Sequence, residues 1–267
     1  MTGTKGEAMQ LEVRLFGGLA AHAGATRVTI ALESGATVAD LRQQIAAQVP
    51  AISELLGRVK VAVDLEVAND DVTISPDAEV ALLPPVAGGS GPDGATADAP
   101  TGDGTRVAPA GLPESRTVDG VTVITGLCAP PFDVSAVLYA VGNPEVGGTA
   151  IFLGTVRDHA PDLADVIQLE YSAYPAMADK VLADIARKTI RRFSGLRGIA
   201  LLHAVGTLDV GSHTILIVCA SPHRDLAFAA CRHALEAVKD DVPIWKRERT
   251  TDGVSRWVGL PDVSGQT

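Results

Sequence analysis

Cysteine, aromatic residues and positive charge are all scarce in this chain. Only three cysteines occur in 267 residues, Cys128, Cys219 and Cys231, far apart and with no Cys-x-x-Cys pair. That spacing fits reduced thiols serving as small apolar residues. The formal net charge of −10 argues against a general nucleic-acid binder. No apolar run approaches the roughly 20 residues of a membrane helix, and Met1 to Met9 lacks the apolar stretch of a signal peptide. A cytoplasmic protein with neither nucleic acid nor membrane among its partners is expected. No glycine-rich nucleotide loop is present and no His, Cys or Asp cluster has metal spacing, so neither a metal nor a tightly bound cofactor is expected. No internal repeat is found.

The length favours two domains over one. Residues 11–16 alternate apolar and polar, the period of a strand, and a second strand covers 27–32 with Gly24 in the turn between them. Thr37 opens a helix with Val38, Leu41 and Ile45 on one face, and Asp40 completes a capping box. Pro50 closes it. Strands follow at 60–63 and 79–83. The order β-β-α-β-β is that of a β-grasp domain, placed at residues 9–89. Its end, Leu82-Leu83-Pro84-Pro85-Val86-Ala87-Gly88-Gly89, is a strand, a proline stop and a tip without side chains. Such a tip can enter a slot in which any Cβ would clash.

From Ser90 to Arg116 the composition turns to Gly, Pro, Ala, Asp, Thr and Ser, which reads as a disordered linker with an r.m.s. span of roughly 30 Å, open to proteolysis. A second domain, residues 117–267, mixes strands (121–125, 149–153, 166–171, 199–205, 214–219) with helices at 133–141, 175–193 and 222–240. Strands and helices do not alternate strictly, so the fold class is α+β.

Three basic groups stand out in this acidic chain. Ser221 and Pro222 suit the N-cap and first position of a helix, which places His223 and Arg224 in its first turn. Cations there oppose the helix dipole and need compensation, by a carboxylate such as Asp225 or by a bound phosphate. Arg157 leaves an apolar strand through Gly154-Thr155-Val156, and either lines a cleft or pairs with Asp158 or Asp162; His159 stands beside it. Lys239 and the run Lys246-Arg247-Glu248-Arg249 form the third group, read either as a solvated turn or as a pocket in which Ile244 and Trp245 anchor Lys246. A lysine in a partly dry pocket can act as base or nucleophile. Arg224 and Lys239 fall on one helix fifteen residues apart, roughly 22 Å along its axis. One small substrate touches both only if two copies of the domain build the pocket. His203, His213 and His233 read as structural or exposed.

Residues 9–89, ending in Gly88-Gly89, resemble the small subunit of molybdopterin synthase, and residues from about 120 to 260 resemble its large subunit. The motifs are Phe152-Leu153-Gly154-Thr155-Val156-Arg157-Asp158-His159, Glu170-Tyr171 with Tyr174-Pro175-Ala176-Met177, Ser221-Pro222-His223-Arg224, and Lys239 through Glu248. The resemblance implies a fusion of the two subunits, with the large subunit's α/β-hammerhead-like fold in the C-terminal half. It implies a sulfurtransferase that converts cyclic pyranopterin monophosphate into the dithiolene of molybdopterin. Gly89 would be adenylated by a separate enzyme and then thiocarboxylated. Arg157, His223 and Arg224 would hold the substrate, together with Thr155 and Val156 of the same motif. Lys239 would be acid, base or transient covalent partner, Lys246 would orient the substrate, and Arg247 and Glu248 would line the same stretch. The large subunits of the family dimerise, so a homodimer through the C-terminal domain is expected.

Here Ser90 follows Gly89, whose carboxyl is therefore in a peptide bond. Cleavage between Gly89 and Ser90 by a protease is expected before sulfur loading. The competing readings are a sulfur carrier for another pathway fused to a non-catalytic docking or phosphate-binding domain, and a fusion that works uncut.

Overall fold

The computed structural model describes residues 8–86, 112–161 and 163–260. They divide into two units, residues 8–85 with 255–260 and residue 86 with 112–254.

The first unit runs β1 (Ala8–Leu15), α1 (Gly17–Ala23), β2 (Arg27–Glu33), α2 (Val38–Gln48), a 3-10 helix (Pro50–Arg58), β3 (Lys60–Val63), β4 (Glu66–Ala68) and β5 (Val80–Leu83). The sheet order is β2-β1-β5-β3-β4, with β1 and β5 parallel at its centre and the other pairs antiparallel. This is the β-grasp arrangement that the strand and helix order implies. The Thr37–Asp40 capping box forms in both directions. Behind it α2 buries Val38, Leu41 and Ile45 in one core with Leu11, Val13 and Ile30. Gly24 does more than turn the chain. It ends α1, a helix absent from the sequence reading, in the left-handed conformation at φ 65°. All four residues of β5 are buried, so the chain leaves the middle of the sheet at Pro84-Pro85. Gly88, Gly89 and Ser90 lie outside the described residues.

The second unit runs β6 (Arg116–Val118), β7 (Val121–Cys128), α3 (Val134–Val141), β8 (Gly148–Thr155), β9 (Val166–Ala173), α4 (Pro175–Arg192), β10 (Gly198–Ala204), β11 (Gly206–Asp209), β12 (His213–Ser221), α5 (Arg224–Asp241) and β13 (Ile244–Thr250). Its main sheet has the order β6-β7-β10-β12-β8, with β7 and β10 parallel. Side chains alternate across it. Ile199, Leu201, Ile217 and Cys219 face the core shared with α4 and α5, while Ala200, Leu202, Leu216 and Val218 face a second core shared with α3. In a smaller antiparallel sheet, β9 lies between β11 and β13. The three thiols are buried, and burial pushes that of Cys128 up to about 11.

One sequence expectation needs correction. The compositional linker ends too late at 116. Leu112 packs against the second unit's core, Pro113 lies 3.1 Å from where a Cβ on Gly126 would sit, and β6 begins at Arg116. At the edge of the smaller sheet, β14 (Ser255–Trp257) is hydrogen-bonded to β13.

Candidate active site

A cleft of about 540 Å³ opens in the second unit, where β8, β9, β10, β12, β13 and the last turn of α5 meet. Gly154 forms part of its wall. The β8–β12 register shifts between His213 and Ile215, an irregularity beside Thr214. A Cβ on Gly154 would lie 2.7 Å from the Ile215 Cγ2 and 2.8 Å from the Thr214 Oγ1. Only glycine lets these strands close here. Gly154→Val should therefore destabilise the unit by about 1–3 kcal/mol through overpacking, seen as a lower denaturant midpoint at an unchanged slope.

Neutral polar groups form the cleft's inner surface. Tyr171 on β9 is hydrogen-bonded to Thr214, and burial, ahead of the nearby Glu248 charge, pushes its phenol up to about 12. The His203 ring meets Tyr171 edge-on with centroids 5.0 Å apart. Its Nδ1 donates to the Ala204 carbonyl at 2.7 Å, and burial pushes its pKa down to about 4. Both groups are thus uncharged at neutral pH, and His203 keeps Nε2 as an acceptor.

Cations supply the charge. Arg157, two residues beyond β8, and Lys239, in the last turn of α5, both line the cleft. The Lys239 ammonium lies 6.0 Å from the centroid of the Phe152 ring, near the limit of a cation–π contact. The helix C-terminus also favours a cation there. Lys246 stands directly across from Tyr171 in the β13–β9 ladder, on the same face of the sheet, and also lines the cleft. Its Nζ is 3.8 Å from the Glu248 Oε1. Three cations and one carboxylate make the cleft net positive. That suits an anionic ligand.

The same register turns Arg247 away. Arg247 pairs with Glu170 on the opposite face, where its Nε and Nη2 donate to Oε2 at 3.1 and 2.5 Å, and Arg249 joins the same oxygen at 3.1 Å. Arg247 is 2% exposed, so it holds the two strands together and does not line the cleft. The run read as either a turn or a pocket is strand β13, with alternate charges on opposite faces. Val156 is also removed from the expected set. It is buried in the core beside α3, and its N–H donates to the Ser212 carbonyl at 3.0 Å, while Thr155 lines the cleft.

His223 and Arg224 do not reach this cleft. The helix starts later than the sequence suggests. Ser221 ends β12 and its hydroxyl donates to the His223 carbonyl at 2.6 Å, so His223 is the N-cap and Arg224 the first helical residue. Arg224 is solvent-exposed, with Asp225 at 3.9 Å. His159 pairs with Asp158 at 2.7 Å on the surface. Among the described residues no group of three or more His, Cys, Asp or Glu is placed to hold a metal ion, and no helix is long and apolar enough to cross a membrane.

Sequence reading missed Tyr171, His203 and Thr214 as cleft residues. They lie on three strands far apart in the chain, and nothing local marks them. Glu170-Tyr171 within the family-like motif was the nearest signal.

Two family profiles match the chain, "ThiS family" over residues 13–89 and "MoaE protein" over residues 127–241. Molybdopterin synthase catalytic subunit 1 of Mycobacterium tuberculosis is 42% identical over 129 residues, 48% of this chain and 86% of that protein. The catalytic subunit of Nostoc sp. is 34% identical over 131 residues, 48% of this chain and 79% of that protein. A crystal structure of molybdopterin synthase from Staphylococcus aureus aligns with a TM-score of 0.47 at 32% identity, covering 51% of this chain and 96% of that one. With a relative of this identity matched over most of its length and both profiles in one polypeptide, the chain belongs to the molybdopterin synthase family, as a fusion of a ThiS-type sulfur-carrier domain with a MoaE-type catalytic domain.

Proposed function

We propose that the cleft binds cyclic pyranopterin monophosphate and that sulfur reaches it from a thiocarboxylate on Gly89, after cleavage between Gly89 and Ser90. The observation that carries this reading is the convergence of Arg157, Lys239 and Lys246 around the uncharged Tyr171 and His203. A thiocarboxylate approaching a phosphate ester is an encounter of two anions, and fixed cations in a partly dry site lower its barrier. The sulfur forms a bond to a side-chain carbon of the pterin as that carbon's bond to oxygen breaks, the oxygen leaving on the phosphate or as water. Water then cleaves the acyl–sulfur bond and returns the Gly89 carboxylate. A dithiolene contains two sulfurs and one thiocarboxylate carries one, so two loaded carriers serve each substrate. Lys239 moves protons or bonds transiently to the substrate, and Lys246, set by Glu248, orients it. No tightly bound cofactor is required. The partners are a protease and an ATP-dependent adenylating enzyme that loads Gly89.

The geometry within one chain supports a homodimer. Arg224 and Lys239 lie near opposite ends of α5, and only Lys239 lines the cleft. His223 and Arg224 of a second copy complete the phosphate site in this reading. The test is an assay of cut protein, loaded in the presence of ATP and sulfide donor, with cyclic pterin. Arg224→Ala and Lys239→Ala proteins, each inactive, should recover about a quarter of wild-type activity when co-assembled, because random pairing leaves one intact site per mixed dimer. An active monomer, or no recovery in verified mixed dimers, overturns the shared site.

A further inference from the structure

His203 stands on β10, the middle strand of the main sheet, directly opposite Ile215 of β12. The alternation that points Ile199 and Leu201 at the core beneath α4 and α5 points His203 the same way, and there the apolar surface gives way to the cleft. Nδ1 makes the hydrogen bond, 2.7 Å from the Ala204 oxygen. A carbonyl only accepts, so Nδ1 carries the proton and Nε2 is left as a bare acceptor. Among the described residues Nε2 has no hydrogen-bond partner, and it is open to the cleft. Tyr171 does not fill that vacancy. Its hydroxyl is engaged with Thr214, and its ring meets the imidazole edge-on at an interplanar angle of 74°. The imidazole is thus held from two sides, with one lone pair presented to whatever enters.

A lone pair in that position repels an anionic oxygen and needs an N–H or O–H donor. The ligand's phosphate therefore belongs with Arg157, Lys239 and Lys246, and its donor-bearing part with His203. A pterin supplies that part. Its exocyclic 2-amino group projects N–H donors from the end of the ring system remote from the pyran and its phosphate. Val238, Val242 and Ile244 line the same cleft and suit the faces of a flat ring. We infer that His203 recognises the pterin ring, its Nε2 accepting a hydrogen bond from the 2-amino group, with Tyr171 as the positioning residue that holds the imidazole for it. This rests on the reading of the cleft as the cyclic pterin site and names what selects the ring. The cations select for charge alone, whereas an acceptor left unpaired in a cleft selects against a ring that lacks the donor.

The test titrates the full chain with two probes without phosphate: pterin, and the analogue in which hydrogen replaces its 2-amino group. The parent should bind pterin at least about tenfold more tightly than the analogue. His203→Phe keeps a ring of similar size without the acceptor and should bind the two alike. His203→Gln carries an amide oxygen that can stand near the place of Nε2 and should keep part of the preference. Inorganic phosphate should bind all three proteins equally. A merely structural role would weaken both probes and phosphate together and leave the preference unchanged. Equal binding of the two probes by the parent, or parental preference in His203→Phe, overturns the assignment. A measurement on the parent decides even if the variants do not fold: by nitrogen NMR of histidine-labelled protein, the Nε2 resonance of His203 should move on adding pterin, and a resonance that stays in place overturns the assignment. Dithiolene formation by the same preparation is read separately. Product from protein that binds both probes alike sinks the role of His203 and leaves the sulfur-transfer reading standing, whereas loaded protein that prefers pterin yet makes no product counts against that reading and supports His203.

Discussion

Lys239→Ala is expected to lower dithiolene formation by about 10²- to 10⁴-fold, the range for loss of a positioned acid or base, with adenylation and thiocarboxylation of the first domain unchanged. The expectation rests on how the cleft divides its labour. Tyr171 is held protonated and His203 neutral, so at pH 7 neither supplies charge. Arg157 presents a guanidinium, a side chain that donates hydrogen bonds but has no acceptor atom. Lys246 is 3.8 Å from Glu248, a partner that restrains it. Lys239 is the cation best placed to move a proton, at the helix end beside Phe152. Lys239→Arg separates the two roles of the ammonium. It keeps the charge and should retain much of the substrate affinity, but loses turnover, because a guanidinium neither gives up a proton nor forms an imine under these conditions. A pH–rate profile taken between about pH 6 and pH 10 will not report Tyr171 or His203, whose ionisations lie outside that window. If the second domain were only a docking scaffold, Lys239→Ala would leave sulfur delivery untouched, and that result would decide for the competing reading.

Local signals in the sequence were reliable where the physics is local. The Thr37–Asp40 box, the strand at 60–63 and the long helix from Pro175 all form as their side-chain patterns indicate. The helix carrying both Arg224 and Lys239 forms too, which keeps those residues apart. Failures occur where tertiary contacts override local pattern. Helix α1 follows Phe16, which caps it with no side-chain hydrogen bond, and opens on two glycines, so its cause is the core that takes Leu19 and Ala20, not propensity. Strand β13 carries four consecutive charged residues, yet pairing with β9 gives Arg247 the carboxylate of Glu170 and leaves Lys246 opposite Tyr171. Ser221 looks like a helix cap by type, but the β12–β8 ladder extends through it and moves the cap to His223. In the site, the cations were legible because basic residues are conspicuous in an acidic chain. The neutral half was not, since an imidazole and a phenol that stay uncharged resemble ordinary core residues.

Blocking the cut at Gly89 is expected to abolish product formation altogether. Strand β5 is buried in the middle of its sheet and ends at Pro84-Pro85, which lack the N–H groups needed to extend the ladder. The chain that leaves there reaches Gly89 within a few residues. Activation by ATP requires a carboxylate oxygen as nucleophile, and the carbonyl of Gly89 in the intact chain is an amide with no such oxygen. Ser90→Pro places an imide bond at the junction, which most proteases reject, while leaving Gly88-Gly89 as they are. In cells that process the parent, this variant should stay at full-length mass, accept no sulfur and make no dithiolene above background. A specific cut introduced ten residues downstream should not rescue it, because the new terminus would carry side chains where the Gly88-Gly89 tip has none and would place the carboxylate beyond the expected reacting position. Dithiolene made by protein whose intact mass shows no cleavage would overturn the requirement, and would mean that sulfur enters the cleft without a free Gly89 terminus.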